Sequence, residues 1–227
     1  MYAARFDGLF EQGRDAVLTG AVQRQVPPVD GGNRWVMSVV LRPDAATARR
    51  IEDVTRGAMA VAGGEHWPTG KADSSHFTLR ALENHRASVP DGDARVSRYI
   101  EALRTASSTV GPVRLTLSGL TLTPGCVMLC AEPPDDAIER LYDAYGAALG
   151  EDGRLEAGFD RNIWYSTLVH FTSPLADPQA VVQWVGERRH LALGEVDCRH
   201  AELVVHRFNG SRMVMQALDA VSLSRRP

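Results

Sequence analysis

Two segments of this chain carry the same three residues in the same order: Ser75-His76-Phe77-Thr78-Leu79 and Val169-His170-Phe171-Thr172-Ser173. Both lie in stretches with the composition of a strand, and the two histidines are 94 positions apart (170 − 76). With seven histidines among 227 residues, chance supplies fewer than one His-x-Thr triplet. Strand side chains alternate between faces, so positions i and i+2 point one way and the residue between them points the other. Each segment is therefore expected to present an imidazole and a hydroxyl on one face and to bury Phe77 or Phe171 in a core. Two such faces can share a substrate only if the fold has two comparable halves that meet.

The flanking sequence reads that way. RWVMSVVL (34–41) has the character of a buried strand, and Pro43-Asp44 leads into DAATARRIEDVTRGAMAVAG, rich in helix formers and stopped by Gly63-Gly64. SSHFTLRAL reads as a strand, 94–107 as a helix, and VRLTLSGLTLTPGCVMLCAEP as two strands around Thr123-Pro124-Gly125. The plan then repeats, with a helix in DDAIERLYDAYGAALG, a strand in NIWYSTLVHFT, a helix from about Asp177 to Arg189, and strands in CRHAELVVHRF and SRMVMQAL. Such alternation predicts an α+β fold of two pseudo-symmetric lobes, each a small, mostly antiparallel sheet covered by helices, with a central cleft. Residues 1–33 read as an N-terminal helix, with apolar Phe6, Leu9, Phe10, Val17 and Leu18, followed by a linker through VPPVDGGN. Residues 34–227 form the bilobal domain in this reading.

Composition bounds the partners. No apolar run approaches the ~18 to 20 residues of a membrane span, and MYAARFDGLFEQGRD has charges where a signal peptide needs an apolar stretch, so a cytoplasmic protein with no membrane partner is expected. Cys126, Cys130 and Cys198 are an odd set without CxxC spacing, which points to neither a disulfide framework nor a zinc knuckle. A formal charge of −3 argues against an extended nucleic-acid groove and for a small nucleotide or an RNA end. Gly64 to Gly70-Lys71 has five intervening residues and then Ala72, so it is not a phosphate-binding loop. His66, His85, His190, His200 and His206 lack metal-ligand spacing and read as surface or satisfied core residues. Trp35, Trp164 and Tyr165 are available to stack a base, although core packing is the simpler reading.

Paired His-x-Thr motifs on central strands of two pseudo-symmetric lobes resemble the 2H phosphoesterase superfamily, which includes the 2′-5′ RNA ligase-like proteins and cyclic nucleotide phosphodiesterases. The resemblance covers roughly residues 34–218 and departs at Ser173-Pro174, where the proline shortens the strand after the second motif. It implies catalytic roles for His76 and His170 and phosphate-binding roles for Thr78 and Thr172. The chemistry asks for the same types. Cleaving a phosphodiester without a metal needs a base and an acid, both of which an imidazole supplies near neutrality, and hydroxyl donors for the charged oxygens. Arg80, two residues past Thr78, is expected on the same face as a bidentate phosphate ligand, or else as a solvated strand-end arginine.

The expected function is that of a phosphoric diester hydrolase, cleaving a small nucleotide or RNA-terminal phosphodiester such as a 2′,3′-cyclic phosphate, with neither metal nor cofactor. The alternatives are a 2′-5′ RNA ligase or 2′-5′ oligonucleotide phosphodiesterase using the same residues, and a catalytically silent nucleotide-binding module. A metalloprotein with His76 and His170 as ligands lacks a carboxylate or thiolate beside either motif.

Overall fold

In the computed structural model, which describes residues 2–159 and 161–224, the chain begins with α1 (Tyr2–Leu18) and enters the bilobal part at β1 (Met37–Leu41). Then come α2 (Ala45–Ala62), the short β2 (Trp67–Pro68), β3 (Phe77–Glu83), α3 (Ala94–Ser107), β4 (Val113–Thr123) and β5 (Cys126–Glu132). The remainder is α4 (Ala137–Leu149), a 3₁₀ helix (Gly150–Glu156), β6 (Trp164–His170), α5 (Pro178–Gly186), β7 (Gly194–Cys198), β8 (His200–Phe208) and β9 (Met213–Ser222).

Local chemistry sets these boundaries. The Asp44 carboxylate accepts from the amides of Ala46 (2.8 Å) and Thr47 (3.0 Å) to start α2, and Gly63, at φ 63°, ends it. Asp93 caps α3, and Asp177 caps α5 ahead of Pro178 in its first turn. Between β4 and β5 the Thr123 hydroxyl accepts from the amides of Gly125 (3.2 Å) and Cys126 (3.1 Å), which closes the hairpin.

Both sheets are antiparallel, in the orders β3-β1-β8-β9 and β2-β6-β5-β4-β7. The α+β class and the two sheet lobes agree with the sequence reading. An exchange of elements between the halves does not show in the sequence. β8 and β9, from the end of the chain, complete the first sheet, with Ser38 of β1 opposite Val204 of β8. β2, from the first half, flanks β6 in the second sheet and sets Trp67 opposite His170. The helices cross over too: α2 packs on β6 and α5, whereas α4 packs on α3 and β3.

Phe77 and Phe171 are fully buried, as strand alternation requires of residues beside the two histidines. α1 lies on β4, burying Phe6 and Val17. Gly13 is the contact point: a Cβ there would meet the Leu122 carbonyl carbon at 2.5 Å, so only glycine permits this approach. The linker that follows is tied down by its main chain. Gln23 N donates to Pro124 O (2.8 Å), Gln25 N to Phe171 O (2.7 Å) and Gly31 N to His85 O (2.8 Å). Among the described residues, no helix is long and apolar enough to cross a membrane.

Candidate active site

Between the sheets lies a cleft of about 230 Å³ whose walls include His76, Thr78, Thr167, His170 and His206. Two β-bulges decide which side chains reach it. In β3, Thr78 faces Val40 and Arg80 faces Val39, so Leu79 is an extra residue and the alternation resets there. Thr78 and Ala81 consequently line the cleft, while Leu79 and Arg80 are buried. In β6, Val169 faces Val127 and Thr167 faces Met128, leaving Leu168 as the extra residue. Tyr165, Thr167 and His170 therefore share the cleft side, and Ser166 is buried with Leu168.

The loop that delivers His76 is pinned by two arginines. Arg42 donates to the carbonyls of Ser75 (2.7 Å) and Asp73 (3.0 Å), and Arg212 to the Asp73 carboxylate (2.7 Å) and the Ser74 hydroxyl (3.2 Å). The Nδ1–H of His76 donates to the Ser74 carbonyl at 2.7 Å, which leaves Nε2 as the nitrogen that trades protons. His206 is oriented in the same way by the Val36 carbonyl (3.2 Å). His170 differs: its Nδ1 is buried without a hydrogen-bond partner among the described residues, and its ring stands edge-on to Trp35 with centroids 4.7 Å apart. Trp35 is also 5.6 Å from His206, which is 5.9 Å from His76, so one chain of rings joins the three imidazoles.

Trp35 holds this place in a left-handed backbone conformation (φ 56°), a strain of roughly 1–3 kcal/mol for a residue with a side chain. Its carbonyl accepts from His85 Nδ1 at 3.1 Å, and its indole packs on Trp67 at 5.9 Å.

Desolvation pushes all three imidazoles toward the neutral form. His76 falls to about 4, with Arg42 adding to the effect and the Ser74 hydrogen bond opposing it. His170 falls to about 3 through desolvation and then the nearby Arg34, His76 and His206, and His206 falls to about 3 through desolvation and His76. Two guanidiniums, Arg34 and Arg161, reach the cleft, and no carboxylate lines it among the described residues. Arg161 pairs with Glu156, whose carboxylate also accepts from the Ala81 amide (2.9 Å) and the Tyr142 hydroxyl (3.1 Å). Arg34 donates to Gln25 Oε1. The site is thus a neutral-to-basic pocket in a protein of net charge −3, suited to an anion.

His76, Thr78 and His170 come together as the sequence suggested, but Arg80 and Thr172 do not join them. Arg80 is flipped by the Leu79 bulge to the opposite face, where it lies 4.7 Å from the Tyr142 ring and donates to the Gly153 carbonyl at 3.2 Å. Thr172 lies beyond the end of β6, and its hydroxyl donates to the Glu65 carbonyl at 2.6 Å. Thr167 and the pair Arg34 and Arg161 stand where those two were expected. Trp164 is core, in line with the simpler reading of the aromatics, whereas Trp35 and Tyr165 line the cleft. His206 had no local signal: it reaches the site because β8 pairs with β1.

No protein-family model matches the sequence, and no curated protein matches it. Solved structures do match its shape. TT0787 of Thermus thermophilus superposes with a TM-score of 0.63 at 17% identity, covering 84% of this chain and 99% of its own. LigT of Escherichia coli, solved with ATP, gives 0.57 at 13% identity over 83% of this chain and 98% of its own. The fold is the one these structures share. A structure described as a phosphoesterase shares it, with a TM-score of 0.55 and 13% identity over 88% of this chain and all of its own. The shared fold thus accounts for nearly the whole of each neighbour and leaves about a sixth of this chain outside the TT0787 match.

Proposed function

We propose that this chain is a 2H phosphoesterase that hydrolyses a small nucleotide or RNA-terminal phosphodiester, such as a 2′,3′-cyclic phosphate, without a metal. The observation that carries the reading is that His76 and His170 line one cleft together with two arginines and the hydroxyl-bearing Thr78 and Thr167, with no carboxylate in its walls among the described residues. In this mechanism one imidazole removes the proton of the attacking water while the other, as imidazolium, protonates the departing ester oxygen. Thr78 and Thr167 donate to the non-bridging oxygens, and Arg34 and Arg161 balance their charge. Empty, the cleft keeps its histidines neutral. A bound phosphate anion raises their proton affinity, so on binding substrate one imidazole takes up from solvent the proton that the acid needs. LigT, which shares the fold, is solved with ATP and with 3′-AMP, and that supports a nucleotide as the ligand here.

The test is a panel of 2′,3′-cyclic, 3′,5′-cyclic and 2′-5′-linked nucleotides assayed in EDTA with product analysis. The reading requires turnover of the 2′,3′-cyclic members. Activity that EDTA abolishes ends the metal-free mechanism, and turnover confined to the 2′-5′ linkage moves the assignment to an oligonucleotide phosphodiesterase or ligase.

A further inference from the structure

A second cavity, of about 290 Å³, opens beside the cleft and shares four of its wall residues, Arg34, Tyr165, Thr167 and His170. Its far side is made by the linker after α1 (Gln23 and Gln25) and by the Thr123–Cys126 hairpin, with Leu9, Met128 and Ile163 supplying an apolar floor. No carboxylate lines it among the described residues. We propose, resting on the phosphodiesterase reading above, that this annex binds the nucleobase attached on the His170 side of the phosphate, and that Gln23 and Gln25 read its edge.

Three features argue for a base here. The first is chemistry. Carboxamide side chains offer a paired donor and acceptor that match the hydrogen-bonding edge of a heterocycle, while Tyr165 and the Arg34 guanidinium are planar groups on which a ring can stack. An apolar floor with a few polar groups is the usual lining of a small-molecule site.

The second is the way the linker is held. Its anchors are main-chain bonds, from Gln23 N to Pro124 O (2.8 Å) and from Gln25 N to Phe171 O (2.7 Å), so these side chains are not needed to keep the linker in place. Gln25 is already turned toward the cavity: its Oε1 accepts from Arg34, and its Nε2 is 3.3 Å from where a Gly125 Cβ would stand. Gly125 thereby keeps the hairpin from filling the space.

The third is continuity. Since His170 and Thr167 border both cavities, a ligand whose phosphate sits between His76 and His170 has its next group at the mouth of the annex, with Arg34 beside both.

The experiment compares kcat/KM for the four ribonucleoside 2′,3′-cyclic phosphates with that for methyl riboside 2′,3′-cyclic phosphate, which has no base, in wild type, Gln25→Ala and Gln23→Ala. The wild type is expected to favour its best nucleotide over the base-free ester by about tenfold or more, the size of one good stacking or hydrogen-bonding contact, and each variant to lower that ratio several-fold. Because both substrates are measured on one preparation, the ratio does not depend on how much of a variant folds. A wild-type ratio near one, or a ratio that neither substitution changes, overturns the proposal while leaving the phosphodiesterase reading intact. If no ester is hydrolysed at all, that reading fails, and calorimetric binding of 3′-AMP against inorganic phosphate decides the annex separately. Tighter binding of 3′-AMP that Gln25→Ala weakens toward the phosphate level upholds it; equal affinities in wild type overturn it.

Discussion

If His76 and His170 work on one transition state, their removal is not additive. His76→Ala and His170→Ala should each lose about 10²- to 10⁴-fold in kcat, and the double variant should be scarcely worse. Clearly multiplying losses in steady-state assays would separate the two roles. The depressed proton affinities add a second expectation. kcat/KM reports the free enzyme, whose histidines titrate at about 3 to 4, so it should keep rising as pH is lowered from 7 toward 5. kcat reports the loaded enzyme, where the phosphate charge raises those values, so its optimum should lie at higher pH. Coincident optima near 6.5 would contradict the proton-recruiting cleft. For stability the sign is the reverse of the usual histidine case. Buried His206 has a folded value of about 3 against 6.5 unfolded, so between those pH values the unfolded chain binds more protons and stability falls as pH drops. His206→Gln should therefore recover up to about 2 kcal/mol at pH 5 relative to its effect at pH 7, measured by urea unfolding. His76, Thr78 and His170 were legible because a three-residue pattern specifies them. Arg80 was misplaced because a bulge depends on the partner strand, and β1 gives no local sign that Leu79 goes unpaired, while Thr172 was misplaced because β6 stops at His170.

The elements around the site were legible for local reasons: Asp44 and Gly63 mark helix ends whatever the tertiary context, and α3 falls where its pattern placed it. The loop before His76 is different, since its shape comes from Arg42 and Arg212, distant in sequence. Arg212→Ala removes the bonds to Asp73 and Ser74 and should lower kcat roughly tenfold with little change in melting temperature, because misplacing a catalytic group by about an ångström is costly while a partly exposed ion pair adds little stability. A large fall in melting temperature would instead assign Arg212 to the framework. Phe171→Ala should cost about 3 to 5 kcal/mol in urea unfolding, as a fully buried ring next to the site. Gly13→Val tests α1 in the same way: its side chain meets the Leu122 backbone, so α1 must shift, and the linker bonds at Gln23 and Gln25 are next in line.

For the molecule as a whole, alternation of helices and strands predicted two lobes but not their interlacing, because strand order is decided by pairings such as Ser38 with Val204 that no window of sequence contains. That interlacing bears on synthesis as well as on shape. When the ribosome has delivered only the first half, β1 has β3 on one side and nothing on the other, since the strand that covers it emerges nearly last. The nascent chain must carry an unpaired and largely apolar edge, Met37 to Leu41, through most of translation. Neither half can then complete its sheet alone, and the joining of β8 to β1 becomes the slow, long-range closure on which folding waits. A permuted chain that begins at β8 and links the old termini would synthesise those neighbours together, and it should refold faster than the natural order.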